Sequence, residues 1–248
     1  MEIIAHRGAS HDAPENTIAA FQLAWEHGAD AVELDIRLAK DGRIVAFHDL
    51  TTKRIAGVDR RVDAQTYGEL QALTRRFPQG AHIPSIEEAL ATVPAGRRLF
   101  IEIKCGPEVL PGLERALDAS GKLPQQIVII GFDIETMKRA RACIPAVEVC
   151  WVTSPKTWSF GRVPSVGGLI AVAQSAQLDG LDIDARFTID ATFVSRVKKA
   201  GLKLYVWTVN DAKTARKLAA LGVDGITTNR PRWLRERLKS ATSPVWPA

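Results

Sequence analysis

The residues with chemistry to offer gather in the first fifty positions. His6 and Arg7 follow Ile3-Ile4-Ala5, Glu33 and Asp35 flank Leu34, and His48 stands beside Asp49 after Ile44-Val45-Ala46-Phe47. A second group, Glu102 and Lys104, lies in Phe100-Ile101-Glu102-Ile103-Lys104. Residues two apart on a strand face the same way, so Glu33 points with Asp35, and Glu102 with Lys104. Three convergent carboxylates repel one another unless a cation sits between them. An all-oxygen ligand set favours a hard ion, Mg²⁺ or Ca²⁺, over zinc. Two histidines beside such an ion suit acid–base cleavage of a phosphodiester: one takes a proton from the attacking hydroxyl or water, the other protonates the leaving alkoxide. Arg7 and Lys104 can neutralise the non-bridging oxygens, Arg through two donors in a fork. The ion would polarise the same oxygens as a Lewis acid. The plainer reading gives Glu33, Asp35 and Glu102 separate salt bridges with Arg37, Lys104 and other cations, and makes each histidine a hydrogen-bonded structural residue. Two histidines beside three acids weigh against it.

These groups need a scaffold that brings them to one place. Short apolar or β-branched runs occur at 3–6, 31–37, 43–47, 99–103, 127–131, 147–152, 178–183, 203–208 and 223–228. Helical periodicity fills most of the gaps. In 16–28, Ile18, Phe21 and Trp25 share a face, Asn16 or Thr17 can cap the start, and Gly28 can end the helix in a left-handed conformation. Segments 190–200 and 211–221 carry similar stripes that end in Ala200-Gly201 and Leu221-Gly222. Strand and helix in alternation predict βα units and a parallel sheet.

Nine strand candidates are one more than an α/β TIM (β/α)₈ barrel needs. Lys40-Asp41-Gly42, between the second and third runs, is too short for a parallel crossover. Run 43–47 is therefore expected to be the returning arm of a β-hairpin outside the barrel. Residues 50–98 are too long for one crossover. They hold Lys53, Arg54, Arg60 and Arg61, a short helix near 66–74 and another near 85–92 after Pro84. This stretch is expected to be an insertion facing the substrate within one barrel domain spanning 1–248. Active sites of such barrels lie at the carboxyl ends of the strands, where His6 and Arg7 fall.

Composition excludes several classes. The chain has 248 residues, 46% hydrophobic and 25% charged, as in a soluble globular protein. No apolar run approaches the roughly 20 residues needed to span a membrane. The N-terminus enters a strand at once and shows no signal-peptide pattern. Cys105, Cys143 and Cys150 are odd in number and lack metal-ligand spacing, which suits free thiols in a reducing cytoplasm. A net charge of +5 permits an anionic partner. Its cations are dispersed, without the basic stripe and stacking aromatics of a nucleic-acid surface. His27 falls at a helix end, where positive charge is favourable. His11 and His82 fall in predicted loops.

The chain resembles the glycerophosphodiester phosphodiesterases, of the cytosolic bacterial type. The resemblance rests on His6-Arg7-Gly8, Pro14-Glu15-Asn16-Thr17, Glu33-Leu34-Asp35, Asp41-Gly42, His48-Asp49, Ile83-Pro84-Ser85-Ile86-Glu87-Glu88, Glu102-Ile103-Lys104, Trp207-Thr208-Val209-Asn210 and Gly222-Val223-Asp224-Gly225-Ile226-Thr227-Thr228-Asn229. Any one piece is weak; the ordered set over nearly the whole chain is specific. It implies a TIM barrel with a small insertion after the second strand. It implies His6 and His48 as the acid–base pair, and one divalent ion on Glu33, Asp35 and Glu102, with Mn²⁺ a further candidate beside Mg²⁺ and Ca²⁺. It places Arg7 and Lys104 on phosphate and Trp207 against the glycerol carbons, with Asn210 fixing its loop. Glu15 and Asn16 would orient His6 or Arg7, although capping of the first helix explains Asn16 equally well. Departures from the family pattern are Gly131 where Ser is frequent, Asn229 where Asp is usual, Arg54-Ile55-Ala56-Gly57, which keeps only the Arg and Gly, and a shortened 75–82.

The resemblance implies hydrolysis of a small-molecule glycerophosphodiester, such as glycerophosphocholine, to glycerol 3-phosphate and an alcohol in the cytoplasm. Neither nucleic acid nor stable membrane association is expected, and the oligomeric state is open. Two alternatives stand beside it. One is a lysophospholipase D-like enzyme, because Trp158 and Phe160 near Lys156 and Arg162 could touch a membrane surface; an ordinary pocket lid explains them as well. The other is a non-catalytic barrel that captures phosphate esters, which would be expected to lack a histidine or an acid that this chain keeps.

Overall fold

A computed structural model describes residues 1–74, 81–158 and 164–239. The apolar runs form β1 (Glu2–His6), β2 (Ala31–Leu38), β3 (Ile44–Ala46), β4 (Arg98–Ile103), β5 (Ile127–Gly131), β6 (Glu148–Thr153), β7 (Gly180–Asp184), β8 (Lys203–Trp207) and β9 (Gly225–Thr228). Eight of them close a parallel barrel in the order β1-β2-β4-β5-β6-β7-β8-β9, and β9 pairs back with β1 through Ile3↔Ile226 and Ile4↔Thr227. The ninth strand, β3, runs antiparallel to β2 through Ile36↔Ala46, Arg37↔Val45 and Leu38↔Ile44. The expected hairpin is therefore present. Gly42 turns it at φ 80°, a left-handed value that costs glycine little.

Alternation along each strand sorts the barrel. Ile127 and Ile129 face outward into the main core against the helices, while Val128 and Ile130 face inward with Ile4, Ala31, Phe100, Cys150, Val152 and Tyr205. The helices that cover the outside include α1 (Ile18–Glu26), α5 (Leu110–Ala119), α6 (Ile134–Cys143), α7 (Val166–Ser175), α8 (Ala191–Lys199), α9 (Ala212–Leu221) and α10 (Pro231–Lys239). Asp side chains cap three of them: Asp133 on α6, Asp190 on α8 and Asp211 on α9, each accepting from the backbone N–H three residues on. Thr17, not Asn16, caps α1 by accepting from Ala20 N. Gly28 follows that helix at φ 73°, as expected from its position.

Between β3 and β4 lie α2 (Lys53–Ala56), a 3₁₀ turn over 62–64, α3 (Tyr67–Leu73) and α4 (Ile86–Ala91). The predicted helices near 66–74 and 85–92 are α3 and α4, while α2 went unanticipated. Capping boxes from Thr66 with Glu69 and Ser85 with Glu88 start α3 and α4. Ile86 and Leu90 of α4 join the main core, as a crossover helix should. Ala39, Val45, Phe47, Val62, Leu70 and Ile83 form a separate small cluster under the hairpin. Residues 75–80 of the shortened stretch, Phe160 and Arg162 of the loop and the tail from Ser240 lie outside the described residues. Among the described residues no helix is long and apolar enough to cross a membrane.

Candidate active site

The inward columns of the barrel change character along their length. Ala31 is followed by Glu33 and Asp35, Phe100 by Glu102, Ile4 by His6, Tyr205 by Trp207, and Gly180 by Asp182. Apolar residues thus plug the lower barrel, and polar ones gather at the carboxyl ends of the strands. There a cavity of about 150 Å³ is lined by His6, Arg7, Glu33, His48, Glu102, Lys104, Ile130, Phe132, Val152, Asp182, Trp207 and Thr227. A larger cavity of about 860 Å³ opens at the opposite end. Its charges are consumed by mutual pairing, Arg98 with Glu148 at 2.8 Å and Arg141 with Asp179 at 3.0 Å, so size does not mark the reactive end.

The acids meet at a fork in the sheet. One edge of β2 pairs with β1 up to Glu33 and with β3 from Ile36 onward. Asp35 stands in the gap, where its N–H has no strand to pair with. Asn16 supplies the missing partner: its Oδ1 accepts from Asp35 N at 3.1 Å and its Nδ2 donates to Asp35 Oδ2 at 2.8 Å. Asn16 therefore serves the acid rather than the helix. Arg7 lies in the same gap at φ 56°, a left-handed value uncommon outside glycine. That conformation turns its N–H onto Glu33 Oε2 (2.9 Å) while its guanidinium reaches Asp35 Oδ2 (Nε, 3.1 Å) and Glu15 Oε1 (2.9 Å).

One ligand oxygen each from Glu33, Asp35 and Glu102, all buried, fall within 4.8 Å of one another. Lys104 Nζ lies 2.5 Å from Glu102 Oε1 and 3.3 Å from Asp35 Oδ1. Even so, among the described residues Glu33 Oε1 accepts no hydrogen bond, and Asp35 Oδ1 is held by the Lys104 ion pair rather than by a hydrogen bond. Buried carboxylate oxygens without donors are costly. Hard oxygens converging from three buried carboxylates fit a divalent cation of the Mg²⁺ or Ca²⁺ kind. The alternative of separate salt bridges fails at Arg37, which donates to the backbone oxygens of His48 and Lys104 instead.

Electrostatics follow the burial. Burial, then the charges of Asp35 and Glu102, pushes the Glu33 carboxyl well above its ordinary range. Burial, partly offset by Lys104, pushes Glu102 up to about 7. Asp35 goes the other way: burial would raise it, but Lys104 and Arg7 hold it low. Burial, reinforced by the Arg7 charge, pushes His6 down to about 4, and burial also lowers His48.

Each imidazole has a partner behind it. His6 Nδ1 is 2.7 Å from Asn229 Oδ1, and His48 Nδ1 is 2.6 Å from Asp49 Oδ1. With oxygen acceptors there, the ring proton sits on Nδ1 and leaves Nε2 as the free acceptor. Arg54 of α2 ties the rim together, donating to Asp49 Oδ2 at 2.5 Å and to Glu15 at 2.6 and 3.1 Å. Trp207 stands edge-on to Phe132 (centroids 5.7 Å), and Lys104 Nζ lies 5.4 Å from the centre of the Phe132 ring.

Glu15 and Asn210 do not line the cavity. Glu15 pairs with Arg7 and Arg54, and Asn210 Oδ1 accepts from Asn229 N and Thr228 Oγ1. Trp158 is half-buried, donates to Thr153 Oγ1 at 3.2 Å and packs edge-on against Trp151. Away from the cavity, His27 lies 3.8 Å from Asp12 and His82 is 3.3 Å from Glu88. Sequence reasoning missed Asp182, the tie of Arg54 to the rim and the Asn229 support of His6. Only the period-two alternation of Gly180-Leu181-Asp182 could have placed Asp182 inside the barrel.

A parallel barrel with acids, imidazoles and cations at its carboxyl-end mouth defines an enzyme of the barrel type. A model of the "Glycerophosphoryl diester phosphodiesterase family" matches residues 6–232. The chain is 35% identical over 243 residues to a Bacillus subtilis protein named "Putative glycerophosphodiester phosphodiesterase YhdW", covering 94% of this chain and 96% of that one. It is 31% identical over 244 residues to the glycerophosphodiester phosphodiesterase of Caldanaerobacter subterraneus subsp. tengcongensis, covering 94% and 95%. Among solved structures, an Oleispira antarctica phosphodiesterase in complex with the product sn-glycerol-3-phosphate superposes with a TM-score of 0.85 at 27% identity, covering 96% and 97%. The chain belongs to the glycerophosphoryl diester phosphodiesterase family and is a phosphoric diester hydrolase.

Proposed function

We propose that this enzyme hydrolyses small glycerophosphodiesters, such as glycerophosphocholine and glycerophosphoethanolamine, to glycerol 3-phosphate and an alcohol, with one divalent cation held by Glu33, Asp35 and Glu102. The observation that carries the reading is the trio of buried acids, with Glu33 Oε1 lacking a hydrogen-bond donor, facing two imidazoles across one small cavity. The glycerol 3-phosphate bound to the Oleispira antarctica relative supports the substrate class. When bound, the cation supplies Lewis-acid polarisation of the phosphate oxygens.

The chain's own residues do the rest. Arg7 and Lys104 point their charges into the cavity and offset those of the non-bridging oxygens. Trp207 and Phe132 form an apolar wall beside the carbon chain. His6, neutral and with Nε2 free, takes the proton of the attacking oxygen. His48 takes up a proton at Nε2 to become cationic, a form that Asp49 behind Nδ1 stabilises, and gives that proton to the departing alkoxide. The phosphorus–oxygen bond to the alcohol breaks as the bond to the attacking oxygen forms. That oxygen belongs to water, or to the glycerol 2-hydroxyl, in which case a cyclic phosphate forms and water opens it with the histidine roles reversed. A substrate without the 2-hydroxyl separates the routes, since sustained rapid cleavage excludes the cyclic one.

The test is release of glycerol 3-phosphate from a panel of glycerophosphodiesters with Mg²⁺, Mn²⁺ or Ca²⁺. Chelation should stop turnover, and His6→Ala or His48→Ala should each lower kcat by about 10²- to 10⁴-fold. Failure to cleave any member of the panel with any of the three ions overturns the proposal.

A further inference from the structure

Asp182 is the one acid at the cavity without a role in the chemistry above. It lies inside the barrel on β7, 3% exposed, and lines the cavity between Val152 and Trp207. Among the described residues its side chain makes no hydrogen bond or ion pair, and its Oδ1 is buried without a donor. The other inward acids are engaged: Glu33 by Arg7 N, Glu102 by Lys104, and Asp184 by Ser154 and Arg186. A barrel interior ordinarily holds branched apolar side chains at such positions. An unsatisfied buried carboxyl lowers stability and gains nothing in the empty protein.

Its surroundings indicate what it meets. Ile130, Phe132, Val152 and Trp207 give the cavity an apolar lining that runs from Phe132, beside Lys104, to Trp207. Trp207 Nε1 donates to the Asp182 backbone oxygen at 3.2 Å, which holds the indole beside the carboxyl. A ligand with its phosphate at the cations therefore extends a short carbon chain along Trp207 towards Asp182. The atom of that chain able to bond a carboxyl is a hydroxyl, which donates to a carboxylate or accepts from an acid.

We infer that Asp182 binds a hydroxyl of the substrate's glycerol unit and thereby selects glycerol phosphate esters over plain alkyl phosphate esters. The inference rests on the function proposed above. A polar site built around a substrate hydroxyl rejects the analogue that lacks it, because its own group is then left unpaired.

The test compares binding of glycerol 3-phosphate and propyl phosphate by calorimetric titration in Mg²⁺, with Mg²⁺ affinity measured separately. Wild type should prefer glycerol 3-phosphate. Asp182→Leu should lose about 10- to 100-fold in affinity for it while holding propyl phosphate unchanged. Asp182→Asn, which keeps a hydrogen-bonding group in the same volume, should retain most of the preference. The ligand-free thermal midpoint of Asp182→Leu should not fall, whereas a structural acid would lower it. No preference in wild type, an unchanged preference in Asp182→Leu, equal weakening of both ligands, or a loss of Mg²⁺ affinity overturns the inference. A wild type that prefers glycerol 3-phosphate yet cleaves no glycerophosphodiester would instead sink the proposed function alone.

Discussion

Asn16 shows how much one side chain can decide. Both its amide atoms are committed to Asp35, one to the backbone N–H and one to the carboxylate, and its own backbone sits at φ 54°. Asn tolerates that left-handed region better than most residues. Asn16→Ala removes both bonds and adds strain, so the expected loss is about 2–4 kcal/mol of unfolding free energy in a denaturant titration. Asn16→Gly removes the same bonds without the strain and should recover about 1 kcal/mol of that loss. Equal stability of the two variants would show that the backbone conformation carries no cost. From the sequence, Asn16 reads equally well as a helix cap. The preference for Thr17 follows only once the Asp35 N–H is known to lack a strand acceptor on its edge of β2.

At the scale of elements, the barrel and its exception were legible. The tripeptide Lys40-Asp41-Gly42 cannot carry a parallel crossover, and that limit alone places β3 outside the barrel. The acids on β2 and β4 were legible for the same reason, because period two fixes the side they face. Pairings between distant loops were not: His6 meets Asn229 across 223 residues, and Arg54 meets Glu15 across 39. Local pattern holds no record of such contacts. Helix starts offer a separate check. Asp133 accepts hydrogen bonds from Thr136 Oγ1 (2.6 Å) and Thr136 N (2.9 Å), and Asp211 from Thr214 N (2.8 Å), which holds both carboxyls below their ordinary 3.8. A depressed acid contributes stability above its unfolded value and loses it as pH falls through its folded one. Asp133→Ala and Asp211→Ala should each cost about 1 kcal/mol at pH 7. That deficit against wild type should shrink below pH 3.8 in parallel urea titrations. A deficit that stays constant with pH would assign it to packing rather than to the charged cap.

For the whole molecule, the acid cluster trades stability for function. Glu102 is raised from 4.5 to about 7 and Glu33 is raised well above 4.5, chiefly by burial. A raised acid stabilises the fold below its unfolded value, and that contribution fades as pH rises through the folded one. The metal-free protein therefore loses stability between pH 4.5 and pH 7 from this source. On the proposed function, a cation at the cluster would take the place of the protons and reverse the loss. At a Mg²⁺ concentration 100 times its Kd, unfolding should cost about 2.7 kcal/mol more than in chelator. The gain should be larger at pH 8 than at pH 5 and largely absent in Glu102→Gln. A midpoint that ignores Mg²⁺ at both values would count against the metal seat.

The bond between His6 and Asn229 joins the first barrel strand to the residue that follows the last. It also imposes a timetable on the chain's synthesis. Both histidines and two of the three acids are made within the first fifty residues, long before Asn229 exists. Until β9 emerges and pairs with β1, His6 has neither its acceptor nor a closed wall around it. On the proposed roles, a growing chain would carry most of its reactive groups well before the residue that aims His6 is made.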